Sequence, residues 1–226
     1  MVAIRSLFLP PTIEVVPMID AISLETAHLL GDALPATHRL RHRIFVERQK
    51  YGVPSWNGME WDEFDTPAAT YLLWRDKASR PRAIARLIPT SRPYMIRQLW
   101  PELAADYVLP SSDDVWEITR LGIDRDLDLA VRGRIFGEMF CAFAEFGLLQ
   151  GITSYLFVTP PQVITAALGQ AGVVAHPLGA AKRLGRLPVV AARSPVSRQA
   201  LRLLRRHHHI TMPVLRLVGE ASAKAA

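Results

Sequence analysis

The stretch "ATYLLWRDKASRPRAIARLIPT", residues 69 to 90, holds two short apolar runs around the polar segment "KASRP". Runs of this length read as strands, and so short a connection pairs them as an antiparallel hairpin. Downstream, "VWEITRLGI" (115 to 123) alternates and predicts a third strand, with Trp116, Ile118 and Arg120 on one face. Residues 131 to 149 place Val131, Ile135, Met139, Phe143 and Phe146 on one helical stripe that Gly147 or Gly151 ends. "SYLFVT" (154 to 159) predicts a strand. "PPQVITAALGQAG" after it has prolines suited to a first helical turn and a glycine suited to its end. "LPVVAAR" (187 to 193) is a further strand, and "SPVSRQALRLLRR" (194 to 206) a basic amphipathic helix opened by a Ser-Pro cap.

Upstream of the hairpin, Leu24, Ala27, Leu30, Leu40 and Ile44 recur at helical spacing, with Gly31 and Pro35 dividing the helix in two. Residues 52 to 67 are turn-rich. There is no repeat and no long linker, which predicts one domain over residues 21–220 behind an N-terminal extension, residues 1–20. The order of elements predicts an α/β sandwich with a mixed sheet. It lacks the strand–helix alternation of a doubly wound fold, and no Gly-x-Gly-x-x-Gly follows a strand.

Half of the 226 residues are apolar and the mean hydropathy is +0.12, enough for a sizeable core. The single cysteine, Cys141, excludes an internal disulfide framework and a cysteine-based zinc site; in its apolar helical setting it reads as a buried, inert thiol of a reducing compartment. The opening "MVAIRSLFLPPTIEVVP" has an apolar run too short for a signal peptide or a membrane span, so a cytoplasmic protein is expected. Charge is unevenly placed. Residues 1–145 hold 17 basic and 20 acidic side chains, whereas residues 146–226 hold 10 basic and one acidic. That asymmetry suits an acidic partner: nucleic acid, an acidic protein or the phosphates of a cofactor. Nucleic acid is disfavoured, because residues 194–216 carry no aromatic ring on which bases could stack. His207, His208 and His209 are adjacent and cannot all face one ion, so no metal is expected.

Chemistry concentrates in three patches. "RHRIFVERQKY" (41 to 51) puts Arg41 and Phe45 one helical turn apart. "MEWDEFD" (59 to 65) sets Glu60, Asp62, Glu63 and Asp65 among Trp61 and Phe64. "WEITR" (116 to 120) brings Glu117, Thr119 and Arg120 onto a strand, and Arg86 lies in another between Ala85 and Leu87. A guanidinium in an apolar strand is costly unless paired. Arg41, Arg86 and Arg120 therefore call for Asp62, Asp65 and Glu117, as a polar cluster between the N-terminal helix and the sheet. A structural ion-pair network and a functional site are both consistent with that arrangement.

These patches resemble the acyl-homoserine-lactone synthases, the bacterial autoinducer synthases. The family carries an arginine and a phenylalanine four apart, an E-x-D-x-(Y/F)-D segment, an arginine in A-R-L, and W-E-(L/I)-(S/T)-R. Here these read Arg41 and Phe45, Glu60 to Asp65, Ala85-Arg86-Leu87, and Trp116 to Arg120, in the family's order and over residues 38–160. One departure is Tyr51, where the family usually has tryptophan; Trp56 is a second source of an indole face.

The resemblance implies a GNAT-like three-layer sandwich, α/β, with a mixed, largely antiparallel central sheet flanked by helices. It implies synthesis of an acyl-homoserine lactone for quorum sensing from S-adenosylmethionine, as substrate and not cofactor, and an acyl thioester on acyl carrier protein or coenzyme A. The implied S-adenosylmethionine residues are Arg41, Phe45, Tyr51, Asp62, Asp65, Arg86, Thr119 and Arg120. Glu117 is the expected base, with Asp62 beside it. Trp100, Leu121, Phe143, Tyr155 and Phe157 are candidates for the acyl pocket. Donor docking falls to Arg132 and Arg134, in a segment that loosely resembles the phosphate-binding turn of GNAT-type acyltransferases, and to Lys182, Arg183, Arg186, Arg202, Arg205 and Arg206. The wide spread of the latter group favours a carrier protein. Neither nucleic acid nor membrane is expected as a partner. The alternatives are a GNAT-type N-acyltransferase acting on another amine, and a non-catalytic nucleic-acid binder.

Overall fold

A computed structural model of the chain describes residues 19–184 and 187–219. The first strand, β1 (Ile19–Ile22), begins at Ile19, so the sheet takes in two residues that the sequence reading assigns to the extension. The rest of that extension lies outside the described residues, as does Arg186. A short 3-10 turn (Ala27–Leu30) precedes α1 (Ala33–Arg41), which runs on as a wider π turn through His42–Arg48. Gly31, at φ 63°, makes the break between the two pieces. Pro35 makes none. It sits in the first turn of α1, where a helical N–H has no partner to lose.

The turn-rich segment folds as a small hairpin, β2 (Ser55–Trp56) and β3 (Met59–Glu60). Asn57 (φ 50°) and Gly58 (φ 71°) supply the left-handed backbone that so tight a turn requires. The hairpin read at 69–90 is β4 (Thr70–Arg75) with β5 (Pro81–Pro89), antiparallel. Both strands are covered on both faces, which is why they read as continuous apolar runs. α2 (Met95–Leu99) and β6 (Val115–Ile123) follow, then α3 (Leu129–Gln150), closed by Gly151 in the left-handed conformation. β7 (Ser154–Thr159) leads to the short α4 (Pro161–Ile164) and its π extension Thr165–Gly169. Two short strands, β8 (His176–Pro177) and β9 (Lys182–Leu184), edge β10 (Leu187–Pro195). α5 (Arg198–His207) is capped by Ser197, whose hydroxyl accepts from the Ala200 N–H; Ser194 and Pro195 close β10 instead of opening the helix. β11 (Leu215–Leu217) completes the described chain.

The sheet runs β11-β1-β4-β5-β6-β7-β10-β8, with β9 also on β10. Only β1–β11 and β6–β7 pair in parallel among the described strands. The long helix α3 and α5 cover one face, over Leu72, Ala85, Leu87 and Tyr155. The α1 unit covers the other, over Tyr71, Leu73, Ile84 and Ile88, and α2 extends that layer with Tyr94 and Ile96 over Leu156. Helices, mixed sheet and helices make the three-layer sandwich. β1, β8, β9 and β11 escape the sequence reading because two to four residues carry too few alternations to register.

Two backbone features aim side chains at one place. β6 bulges against β5: Thr119 faces Arg86 and Gly122 faces Ile84, so Arg120 and Leu121 together oppose Ala85. Arg120 takes φ 54°, a conformation that costs a non-glycine residue about 1–2 kcal/mol. Strict alternation would have put Arg120 with Trp116 and Ile118 on the α3 face. The bulge turns it to the α1 face, which corrects the sequence expectation. The second feature is a parting of strands. β6 and β7 pair only as far as Ile118 opposite Phe157, although both run on. Thr119, Arg120 and Leu121 thereby present a strand edge without a ladder partner on the β7 side.

Candidate active site

Three arginines and three carboxylates meet under α1. Arg41 spans Glu60 (Nε–Oε2 2.6 Å, Nη2–Oε1 3.0 Å) and Asp65 (Nη1–Oδ1 2.7 Å, Nη2–Oδ2 2.9 Å). Arg86 donates to both oxygens of Asp62 (2.5 and 3.1 Å), to Asp65 (2.9 Å) and to the Thr119 hydroxyl (3.1 Å). Arg120 joins Glu60 (Nη2–Oε1 3.0 Å) to Asp62 (Nη2–Oδ2 2.7 Å). The six charges cancel and the cluster is almost dry: Arg41, Glu60 and Arg86 are fully buried. Desolvation opposes every one of these charges, and bidentate pairing overcomes it. Asp65 is consequently held well below the usual carboxylate range by Arg41 and Arg86 despite its burial, and Arg41 stays protonated.

Local chain geometry explains the convergence. In the Met59–Asp62 segment Glu60 and Asp62 are two residues apart and share a face. Asp62 then accepts from the Phe64 N–H, and the Asp62 N–H donates to Asp65, a compact turn that returns the third carboxylate to the group. Phe64 is buried with the Arg86 guanidinium 5.7 Å from its ring, whereas Trp61 faces solvent. Phe45 lies 5.5 Å under the Arg120 guanidinium and stacks on Tyr51 at 6.2 Å and 17°. Tyr51 and Trp56 are exposed and rim the cluster's side of the molecule.

Glu117 sits apart from the ion pairs. Its carboxylate accepts the N–H groups of Met95 (2.8 Å) and Ile96 (2.7 Å) at the start of α2. Glu60 takes the place among the arginines that the sequence reading gives to Glu117. The alternating Glu60–Asp62 pair was the signal for it. Burial pushes the Glu117 carboxyl up to about 7, against the opposing pull of the two N–H donors and of Arg86. A carboxyl poised near neutrality beside a fixed charge cluster is the pattern of an acid–base group.

The other sequence candidates scatter. Leu121, Phe143, Tyr155 and Phe157 pack on the α3 face, where the Tyr155 hydroxyl donates to the Phe143 carbonyl (2.9 Å). Trp100 packs on the opposite face, so the five do not share one wall. Rings at 136, 140, 143 and 155 contact in series. Arg132 and Arg134 lie in the first two turns of α3, Arg134 being 3.6 Å from Glu138. Lys182 and Arg183 are on the edge strand β9, and Arg202, Arg205 and Arg206 on α5. Arg205 is committed to Glu145 at 2.8 Å. The residues expected to make one broad basic face thus belong to separate elements. Among the described residues no helix is long and apolar enough to cross a membrane.

The family model for the autoinducer synthases matches residues 28–204. An isovaleryl-homoserine lactone synthase of Bradyrhizobium diazoefficiens is 34% identical over 200 residues, 87% of each chain. An acyl-homoserine-lactone synthase of Aeromonas hydrophila is 38% identical over 138 residues, 58% of this chain and 66% of its own. The CoA-dependent acyl-homoserine lactone synthase BjaI, solved with S-adenosylmethionine and isopentyl-CoA, superposes with a TM-score of 0.82 at 30% identity, over 89% of this chain and 93% of its own. The chain belongs to the autoinducer synthase family and is an acyltransferase of the acyl-homoserine-lactone synthase kind.

Proposed function

We propose that the protein joins S-adenosylmethionine to a short acyl group carried by coenzyme A and closes the product to an acyl-homoserine lactone. The observation that carries this reading is the neutral six-charge cluster beside Glu117, next to the place where β6 and β7 part. In the first step the amine of S-adenosylmethionine attacks the thioester carbonyl. A C–N bond forms, the C–S bond breaks, and the thiol leaves with a proton. Glu117 accepts the ammonium proton through a water, since its own surface is fully buried. Backbone N–H groups on the Thr119–Leu121 edge, where β6 has no β7 partner, are suited to the oxyanion. In the second step the carboxylate oxygen attacks the carbon γ to it, next to sulfur. The C–S bond breaks and methylthioadenosine leaves with the electron pair. No enzyme nucleophile is required.

Arg41, Asp65 and Arg86 are positioning residues in this reading, because their polar atoms are spent on one another. Asp62, Thr119 and Arg120 are the cluster members nearest the strand opening, and Phe45 and Tyr51 offer ring faces for adenine or the sulfonium. Coenzyme A is favoured as carrier for two reasons. Both the Bradyrhizobium relative and BjaI carry a short branched acyl group or a CoA donor in their names. Lys182 and Arg183 lie on β9 whereas Arg202, Arg205 and Arg206 lie on α5, which weakens the case for a carrier-protein face.

The test is methylthioadenosine release with isovaleryl-, hexanoyl- and decanoyl-CoA and with the same acyl groups on acyl carrier protein. Release fastest with isovaleryl-CoA is expected. Release confined to carrier-protein thioesters would replace the donor, and absence of release with every thioester would overturn the reaction.

A further inference from the structure

We infer that His208 is an acid-sensitive latch: its neutral ring holds the end of α5 against α3, and protonation releases it. The inference concerns the packing of α5 and stands whatever the acyl donor. Two glycines of α3 seat the two ends of the α5 segment. At Gly147 a Cβ would meet the Val196 methyl groups at 2.9 and 3.0 Å, just before the Ser197 cap. At Gly137 it would meet His208 Cγ at 2.5 Å, Nδ1 at 2.6 Å and Cβ at 2.8 Å, just after the last turn of α5. A side chain at either place would displace its neighbour, so glycine is what lets α5 lie this close. The ten residues between the two seats rise about 15 Å, the length of the 10-residue α5 itself.

Only one of the two seats can change its charge. Val196 is apolar. The His208 ring is half-buried, and its Nε2 is buried without a hydrogen-bond partner. A neutral imidazole tolerates that position better than an imidazolium, which has two N–H donors and a charge to satisfy. The carboxylates of α3 are engaged elsewhere. Glu138 accepts from the Trp74 indole N–H (2.7 Å) and faces Arg134 at 3.6 Å, and Glu145 holds Arg205 and the Val214 and Leu215 N–H groups. The neighbours on α5 and just after it are cations or can become so: Arg205, whose Nε is also buried without a partner, Arg206, His207 and His209. The His207 ring meets His208 edge-on, with centroids 4.7 Å apart. Burial first, and then His207 and His209, hold the His208 ring below its ordinary value of 6.5.

The sign follows. Between the lowered folded value and 6.5 the unfolded chain binds the proton that the folded protein refuses. The stability contributed by this contact is therefore fully present above about pH 6.5 and is lost as pH falls through the folded value. The chain beyond is attached independently. Val214 and Leu215 are held by Glu145, and β11 pairs with β1. Protonation of His208 accordingly loosens the turn around residues 206–210 and leaves β11 in the sheet.

Two variants of the full chain test the latch. His208→Gln stays neutral at every pH, and Gly137→Ala puts a methyl group where the ring sits. By NMR, the His208 ring should titrate lower in the folded parent than in the urea-unfolded chain. Gly137→Ala, by displacing the ring into solvent, should remove that difference. From pH 8 to pH 5 the parent's urea midpoint should fall by about 0.3 M or more beyond that of His208→Gln. Glu117 titrates in both proteins and cancels in the comparison. Amide exchange at residues 206–210, corrected for its intrinsic pH dependence, should quicken at least about tenfold more in the parent than in His208→Gln, with Val214 and Leu215 protected in both. Equal losses of midpoint overturn the proposal, as does a His208 titration that unfolding leaves unchanged. So does exchange that quickens together at 206–210 and at 214–215, because the acid response is then global. Should Gly137→Ala not fold, the comparison of the parent with His208→Gln decides alone.

Discussion

Buried carboxylates gather arginines both at the sheet edge and under α1. At the sheet edge, Asp20 accepts from Arg75 (2.7 Å) and Arg216 (2.6 Å), and Glu145 accepts from Arg205 and from the Val214 and Leu215 N–H groups. Under α1, Glu60, Asp62 and Asp65 hold Arg41, Arg86 and Arg120. In both the carboxylates are buried and hydrogen-bonded, whereas at the sheet edge the Arg205 Nε has no partner and Arg216 is half exposed. They differ in what surrounds them. The edge assembly pins β11 and α5 with unstrained backbone. The α1 assembly holds Arg120 in a left-handed conformation, adjoins a carboxyl raised to about 7, and opens on parted strands. Buried ion pairs alone do not mark a site; strain and a displaced pKa beside them do.

The largest effect should come from breaking each assembly in turn. Glu60→Gln leaves Arg41 and Arg120 short of charge in a dry setting, which should cost about 3–5 kcal/mol of stability and abolish turnover. Glu145→Gln loses charge toward Arg205, which is partly exposed, and should cost about 1–3 kcal/mol. Turnover per folded molecule should survive, since Glu145 touches only the C-terminal attachment. Urea unfolding paired with methylthioadenosine release separates the two. Normal turnover in a folded Glu60→Gln, or loss of turnover in a folded Glu145→Gln, would break the contrast.

Glu117→Gln comes next, with turnover reduced roughly 100-fold, the scale of a lost general base. Its pH dependence sharpens the claim. Because the folded pKa of about 7 exceeds the ordinary 4.5, the folded state binds more protons than the unfolded state between those values. Stability is therefore greatest below about pH 4.5 for this group and declines toward pH 7, by on the order of 3 kcal/mol. Activity runs the other way, rising as the base ionises. The parent-minus-variant difference in urea midpoints should follow the first trend and the parent rate the second. A Gln variant with a near-normal rate from pH 6 to 9 removes Glu117 from the role.

Much of this was legible in the sequence, for reasons that can be stated residue by residue. An apolar strand interrupted by Arg86 announces a need for carboxylates, and Asp62 and Asp65 answer it. Long periodic elements such as β5 and α3 declare themselves. What stayed hidden is local geometry. No composition signals the bulge that turns Arg120 across the sheet. Glu60 and Glu117 look interchangeable as partners until α2 is seen to offer its N–H groups to one of them.

The smallest effect tests how far the α1 assembly is over-determined. The Tyr71 hydroxyl donates to Asp65 Oδ1 at 2.8 Å, on a buried side chain. That oxygen also receives Arg41 (2.7 Å) and Arg86 (2.9 Å), and Oδ2 receives Arg41 and the Asp62 N–H. Tyr71→Phe removes one of five donors and leaves no polar atom stranded, because phenylalanine brings none. The cost should be about 1 kcal/mol in urea unfolding. Asp65 should remain ionised at every working pH, since Arg41 and Arg86 dominate its environment. Turnover should stay within about threefold of the parent. If it falls 100-fold while the fold is kept, the phenol belongs to the catalytic machinery. The α1 assembly would then be less a rigid support than a set of groups that rearrange when substrate binds.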